Sequence, residues 1–175
     1  MDKILDVKDL RVSFNTYAGE VKAVRGVSFE LSPGETLAFV GESGCGKTVT
    51  AKALMRLLQP PFAVIKEGSS VKFDGTEVLD MDKKALRAYR GNDVSMIFQD
   101  PMTSLNPTMT CGKQIMESLI LHKGLTKAQA REEAIETLRL VKIPDPEKRV
   151  DEYPHQMSGG MRQRVMIAIA LSCQP

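Results

Sequence analysis

Gly41 to Thr48 reads Gly-Glu-Ser-Gly-Cys-Gly-Lys-Thr, a glycine-rich octet fitting GxxxxGK[ST] at every fixed position. It follows a continuous apolar run, Thr36–Val40, and precedes a segment in which Ala51, Leu54, Met55 and Leu58 recur at helical spacing. An apolar run of strand length suits the middle of a parallel sheet, so the local order is strand, loop, helix. Glycines let such a loop wrap around phosphate oxygens with its amides turned inward, and the helix adds the positive end of its dipole. Lys47 then supplies a point charge to the β- and γ-phosphates and Thr48 a hydroxyl for Mg²⁺. The octet therefore predicts an α/β fold built around a phosphate loop. Cys45 within it reads as a small filler rather than a redox group.

Flanking segments extend the picture. Val7, Leu10, Val12 and Phe14, then Val21, Val24, Val27, Phe29 and Leu31, have strand-like spacing on either side of Ala18-Gly19. Ser70 to Leu79 reads as a hairpin turning at Asp74-Gly75, and Val94–Phe98 as a further strand. Pro60 and Pro61 close the helix after the octet. Met81–Arg90 reads as a short basic helix. Beyond Pro101 the texture turns helical: Gln114–His122, then a helix opened by a capping box at Thr126 and Gln129, with Ala130, Ala134, Leu138 and Val141 on one face. A last helix, about Met161–Cys173, is apolar nearly all round, which predicts deep burial.

Composition excludes several classes. With 24 Lys+Arg against 22 Asp+Glu in 175 residues, the net charge is +2, and no basic stripe marks nucleic acid as a partner. The longest apolar run, Val165–Leu171, is far shorter than the roughly 20 residues a membrane helix needs. Cys45, Cys111 and Cys173 are too widely spaced for a metal cluster or a disulfide frame, which points to a reducing compartment.

A second glycine pair stands in Ser158-Gly159-Gly160-Met161, directly before the apolar helix. By itself it reads as a helix start capped by Ser158. Taken with the octet, Gln99 and the helical insertion, the chain resembles the ATP-binding subunit of ABC transporters from about Ile4 to its end. Gly41–Thr48 matches the Walker A loop, Gln99 the glutamine of the Q-loop, and Ser158–Met161 the family signature, with Met161 where glutamine is commoner. Phe98–Thr110, Tyr153–Val165 and the segment around the octet look like the dipeptide/oligopeptide/nickel importer group. Met102-Thr103 and Thr48-Val49-Thr50 look like the first of its two paired ATPases.

The resemblance implies ATP and Mg²⁺ as cofactors. Gly41, Glu42, Ser43, Gly44, Cys45, Gly46, Lys47, Thr48 and Val49 would surround the phosphates, and Thr48 and Gln99 would meet the metal. Lys47 and Gln99 would be the catalytic pair. Ser158, Gly159, Gly160 and Met161 would reach the γ-phosphate held by the opposite subunit of a head-to-tail dimer, a paralogue in this group. Phe14, with Tyr17 as rival, would stack on adenine; the lesser alternative for either ring is a strand or loop aromatic packed on the core. Residues 1–100 would form the β-rich nucleotide-binding core, 101–157 the helical subdomain facing the membrane, and 158–175 the signature and its helix. Two permease subunits and an extracytoplasmic solute-binding protein complete the implied assembly, peripheral on the cytoplasmic face of the cell membrane. ATP hydrolysis would drive import of peptides, nickel or a related small solute.

The family pattern continues with an apolar strand ending in Asp-Glu and a switch histidine, neither of which these residues contain. The expectation is a piece of a longer subunit, a nucleotide-binding module that does not hydrolyse ATP alone and is aggregation-prone or molten when isolated. His122 and His155 read as surface or capping residues, and the methionines as fillers. Lys83, Lys84, Arg87 and Arg90 read as a solvated helix face, with an acidic-lipid or membrane-subunit contact as the alternative.

Overall fold

The computed structural model describes residues 3–175, and its contacts fall into two units, one ending at Leu86 and one beginning at Arg87. The first is organised by β1 (Leu5–Thr16), which pairs antiparallel along its length with β2 (Gly19–Leu31). Val7, Leu10 and Val12 of β1 are buried, as their spacing predicts. The opposite edge of β1 is shared. Leu5–Lys8 pair with β4 (Ser70–Phe73), and Val12–Phe14 with β3 (Ala63–Ile65), both antiparallel. The hairpin from β4 to β5 (Thr76–Glu77) turns on Asp74 and Gly75, both at positive φ (45° and 75°), the backbone a two-residue turn demands. Val78 does not extend β5; it is buried in a 3-10 turn, Val78–Asp80.

α1 (Lys47–Leu54) ends before the two prolines, because Arg56 turns to a φ of 49° and its guanidinium donates to the Val78 and Met81 carbonyls. Its buried side chains are Thr50 and Ala53, with Met55 just beyond, rather than Ala51, Leu54 and Leu58.

Two expected strands are corrected. Thr36–Val40 joins no ladder among the described residues, and Leu37, Phe39 and Val40 are exposed, Val40 at 94%. Phe39 packs edge-on against Phe29, ring centroids 5.1 Å apart. Val94–Phe98 forms only one bridge, Arg90 with Val94, and leaves Ile97 and Phe98 exposed. An apolar run becomes a strand only by pairing, and no described residues offer these two a parallel neighbour. The sheet among the described residues is antiparallel throughout.

α2 (Lys83–Ala88) leads into the second unit, which is helical. It comprises α3 (Pro101–Ser104), α4 (Cys111–Lys123), α5 (Lys127–Leu140), α6 (Pro146–Arg149) and α7 (Gly159–Leu171). Its core gathers Ile115 and Leu119 from α4, Ala130, Ala134 and Leu138 from α5, and Val165 and Ala168 from α7. Each large aliphatic side chain buried there contributes about 1.5–3 kcal/mol. The capping box at Thr126 and Gln129 is present. α4 starts earlier than its periodicity suggests because Thr110 caps it, its hydroxyl accepting from Lys113 N–H at 3.3 Å. α7 buries Val165, Met166, Ala168 and Ala170 but leaves Leu171 exposed.

Candidate phosphate-binding site

The octet folds back on its own lysine. Lys47 Nζ donates to the carbonyls of Gly41 (2.6 Å) and Glu42 (2.7 Å) and lies 3.5 Å from Cys45 Sγ. The ammonium is thus held by two neutral backbone carbonyls of its own loop. Gly46 begins α1 at a φ of 95°, and a Cβ there would fall 2.7 Å from the Ala23 carbonyl of β2. Glycine is required twice over, by backbone conformation and by the approach of the strand.

No side chain caps α1. Thr50 N–H bonds the Gly46 carbonyl, so the amides of Lys47, Thr48 and Val49 are the ones a helix start leaves without an intrahelical acceptor. Three such donors with a positive dipole end form a ready anion site. Lys47 also lines a cleft of about 720 Å³, walled by β2 from Val21 to Arg25, by Ala38–Val40 and by Gly44–Gly46; Gly41, Glu42, Ser43 and Thr48 do not line it. Lys22, Arg25 and Lys47 line it and no carboxylate does, which suits a polyanion. Sequence reading missed Lys22 and Arg25: their place in a strand was legible, but only the close approach of β2 to Gly46 at Ala23 brings them to the cleft.

Thr48 is exposed in the first turn of α1. Its hydroxyl is a hard oxygen donor of the kind Mg²⁺ accepts alongside phosphate oxygens. Among the described residues no cluster of three or more His, Cys, Asp or Glu could cage a metal. Glu42 and Ser43 are exposed, as are Gly41, Gly44 and Cys45.

Neither aromatic candidate lines the cleft. Phe14 is half-buried with its ring 5.5 Å from Phe62, and Tyr17 is fully exposed in the β1–β2 turn.

The remaining candidates belong to the second unit. Gln99 is exposed in the segment before α3. Its neighbour Asp100 caps α3, accepting from Met102 N–H at 2.8 Å and from the Thr103 hydroxyl at 3.1 Å. Ser158 caps α7, its hydroxyl accepting from Met161 N–H at 3.3 Å. A Cβ at Gly159 or Gly160 would meet nothing within 4 Å. Packing inside the unit therefore does not require glycine there, and the pair leaves backbone open to something outside.

A phosphate loop opening an uncapped helix beside a basic cleft, joined to a helical unit with a glycine-started helix, defines a nucleotide-binding cassette. The chain belongs to the ABC transporter family, whose model matches residues 24–175. It is 54% identical over 175 residues to the dipeptide transport ATP-binding protein DppD of Bacillus subtilis, covering 100% of this chain and 52% of that protein. It is 53% identical to the oligopeptide transport ATP-binding protein OppD of Escherichia coli, covering 99% of this chain and 51% of that one. The chain thus spans about half the length of the curated relatives it matches. Among solved structures it resembles the ATP-binding cassette MJ0796, a dimer in a post-hydrolysis state bound to ADP and Pi. The TM-score is 0.80 at 25% identity, over 98% of this chain and 70% of that one. The fold is the α/β fold of ABC ATPase cassettes.

Proposed function

We propose that the chain binds ATP with Mg²⁺ at Gly41–Thr48 and forms the nucleotide-binding part of a subunit that couples ATP hydrolysis to peptide import. The observation that carries this is the uncapped start of α1, whose Lys47 lines a carboxylate-free basic cleft. Incoming phosphate oxygens would replace the Gly41 and Glu42 carbonyls as acceptors for Lys47, exchanging neutral acceptors for charged ones. The amides of Lys47–Val49 and the dipole of α1 would hold negative charge building up as water attacks the γ-phosphate in line. Mg²⁺, when bound, supplies further neutralisation, and Thr48 and Gln99 are the residues of this chain offered to it. The open amide face at Gly159-Gly160 suits a nucleotide held by an opposite subunit, in a head-to-tail pair with a paralogue. The relatives' names, dipeptide and oligopeptide transport, support a peptide as the solute; nickel or a related small solute is the variant within the group. The reading includes two permease subunits, an extracytoplasmic solute-binding protein and a peripheral place on the cytoplasmic membrane face. No helix among the described residues is long and apolar enough to cross a membrane.

Titration with a fluorescent ATP analogue in Mg²⁺ tests the core of this. Lys47→Ala is expected to weaken binding about ten- to hundredfold; equal affinity in wild type and variant overturns the site. Uptake of a labelled dipeptide by cells whose only copy of the subunit carries Lys47→Ala tests the transport role, and uptake at the wild-type rate overturns it.

A further inference from the structure

β2 carries two cations that the packing of the described residues does not use. Lys22 and Arg25 are exposed, neither has an ion pair among the described residues, and both line the cleft that Lys47 also lines. Glu20, the carboxylate whose field Lys22 shares, is engaged directly by Lys66. Across the β1–β2 ladder Arg25 faces Arg11, a like charge, and Arg11 is itself paired with Asp9 at 2.9 Å. Like charges placed opposite each other destabilise a ladder. Lys22, Arg25 and Lys47 around one concavity with no carboxylate repel one another in the same way, and an anion would offset that repulsion.

The strand is not loosely placed at this point. The Ala23 carbonyl comes so close to Gly46 that a Cβ there would lie 2.7 Å from it. Lys22 adjoins Ala23 and Gly46 adjoins Lys47, so this approach sets the strand cations beside the lysine of the loop. We propose that Lys22 and Arg25 are binding residues for the phosphate chain of the nucleotide, and that they grade ligands by charge, triphosphate above diphosphate above monophosphate. Given the nucleotide site proposed above, on which this reading rests, the phosphates meet charge from two sides, from Lys47 on the loop and from Lys22 and Arg25 on the strand. The attraction is a screened Coulomb effect between exposed groups, so the sign of the charge matters more than the identity of the cation.

Competition of ATP, ADP, AMP and inorganic tripolyphosphate against the fluorescent ATP analogue, all with Mg²⁺, tests this. Lys22→Met and Arg25→Met are each expected to weaken ATP and tripolyphosphate about threefold, and together about tenfold, with AMP changed by less than about twofold. Lys22→Arg and Arg25→Lys are expected to bind as wild type does. Added salt is expected to weaken ATP binding about half as steeply in the double methionine variant as in wild type. Without ligand, removing like charge is expected to leave the urea midpoint unchanged or higher. Unaltered ATP affinity in the double variant, or equal losses for ATP and AMP, overturns the proposal. Should the midpoint fall, the salt dependence decides, because a smaller folded fraction does not alter it. Lys47→Ala separates the two readings. Loss of binding with Lys47→Ala but not with the strand variants keeps the loop and refutes the strand cations; the reverse pattern refutes the loop and keeps them. No binding by wild type refutes both.

Discussion

Gly112 lies directly on Val150. Its N–H donates to the Val150 carbonyl at 2.9 Å, and a Cβ at Gly112 would fall 2.2 Å from Val150 Cγ2 and 2.4 Å from that carbonyl oxygen. The contact ties the start of α4 to the residue closing α6, and Val150 is buried in the same core. Gly112→Ala cannot be absorbed by a side-chain rotation, because backbone stands in the way. It is expected to destabilise the chain by about 2–3 kcal/mol. A urea midpoint equal to wild type would contradict this packing.

Gly46→Ala strikes the phosphate site by a different route. The substitution strains a φ of 95° and drives a methyl against the Ala23 carbonyl, so α1 must retreat from β2. A loss of about 2 kcal/mol in stability is expected, and weaker binding of the ATP analogue with it. Binding retained at full strength would show that the amides of α1 do not need this approach to the strand.

The capping box at α5 offers a contrasting case of modest size. Thr126 accepts from Gln129 N–H, and Gln129 accepts in return from Thr126 N–H at 3.0 Å. Thr126→Ala is expected to cost about 1 kcal/mol, and Thr126→Ser to restore most of it. Thermal melts of the three proteins check this, and a serine variant no better than alanine would count against the cap.

Alkaline pH should expose the burial of Cys111. Burial, with the Glu152 carboxylate adding to it, raises its thiol from 9.0 to about 11. Above pH 9 the unfolded chain sheds a proton that the folded chain keeps, so stability falls as pH rises from about 9 toward 11. Tyr89 shifts in the same sense, raised to about 12 by burial and then by Asp93, against the opposing Arg90. Urea midpoints taken between pH 8 and 11 should decline, and Cys111→Ala should flatten part of the decline. Parallel slopes in the two proteins would refute the assignment.

Much of this was legible in advance where the signal is local. Caps at Ser158 and Thr126, the positive-φ turn at Asp74-Gly75, and the Ala130–Ala134–Leu138 face depend on neighbours a few residues away, and the structure has them as read. Thr36–Val40 and Val94–Phe98 failed as strands because pairing is a long-range event that apolar character invites without ensuring. The α1 face was misassigned for a related reason: Arg56 ends the helix by reaching Val78 and Met81, partners over 20 residues away.

The sequence by itself determined the glycine-rich octet, its lysine and the helix start that follows, because glycine conformation, charge and dipole reside in those few residues. It also determined where α5 and α7 begin, through Thr126 and Ser158, which cap their own turns. Only the tertiary structure decided that Lys22 and Arg25 wall the cleft, that Gly46 must clear Ala23 and that Gly112 seats on Val150. Each of these joins residues brought together by packing, and packing is set by the shapes of whole elements rather than by any spacing along the chain.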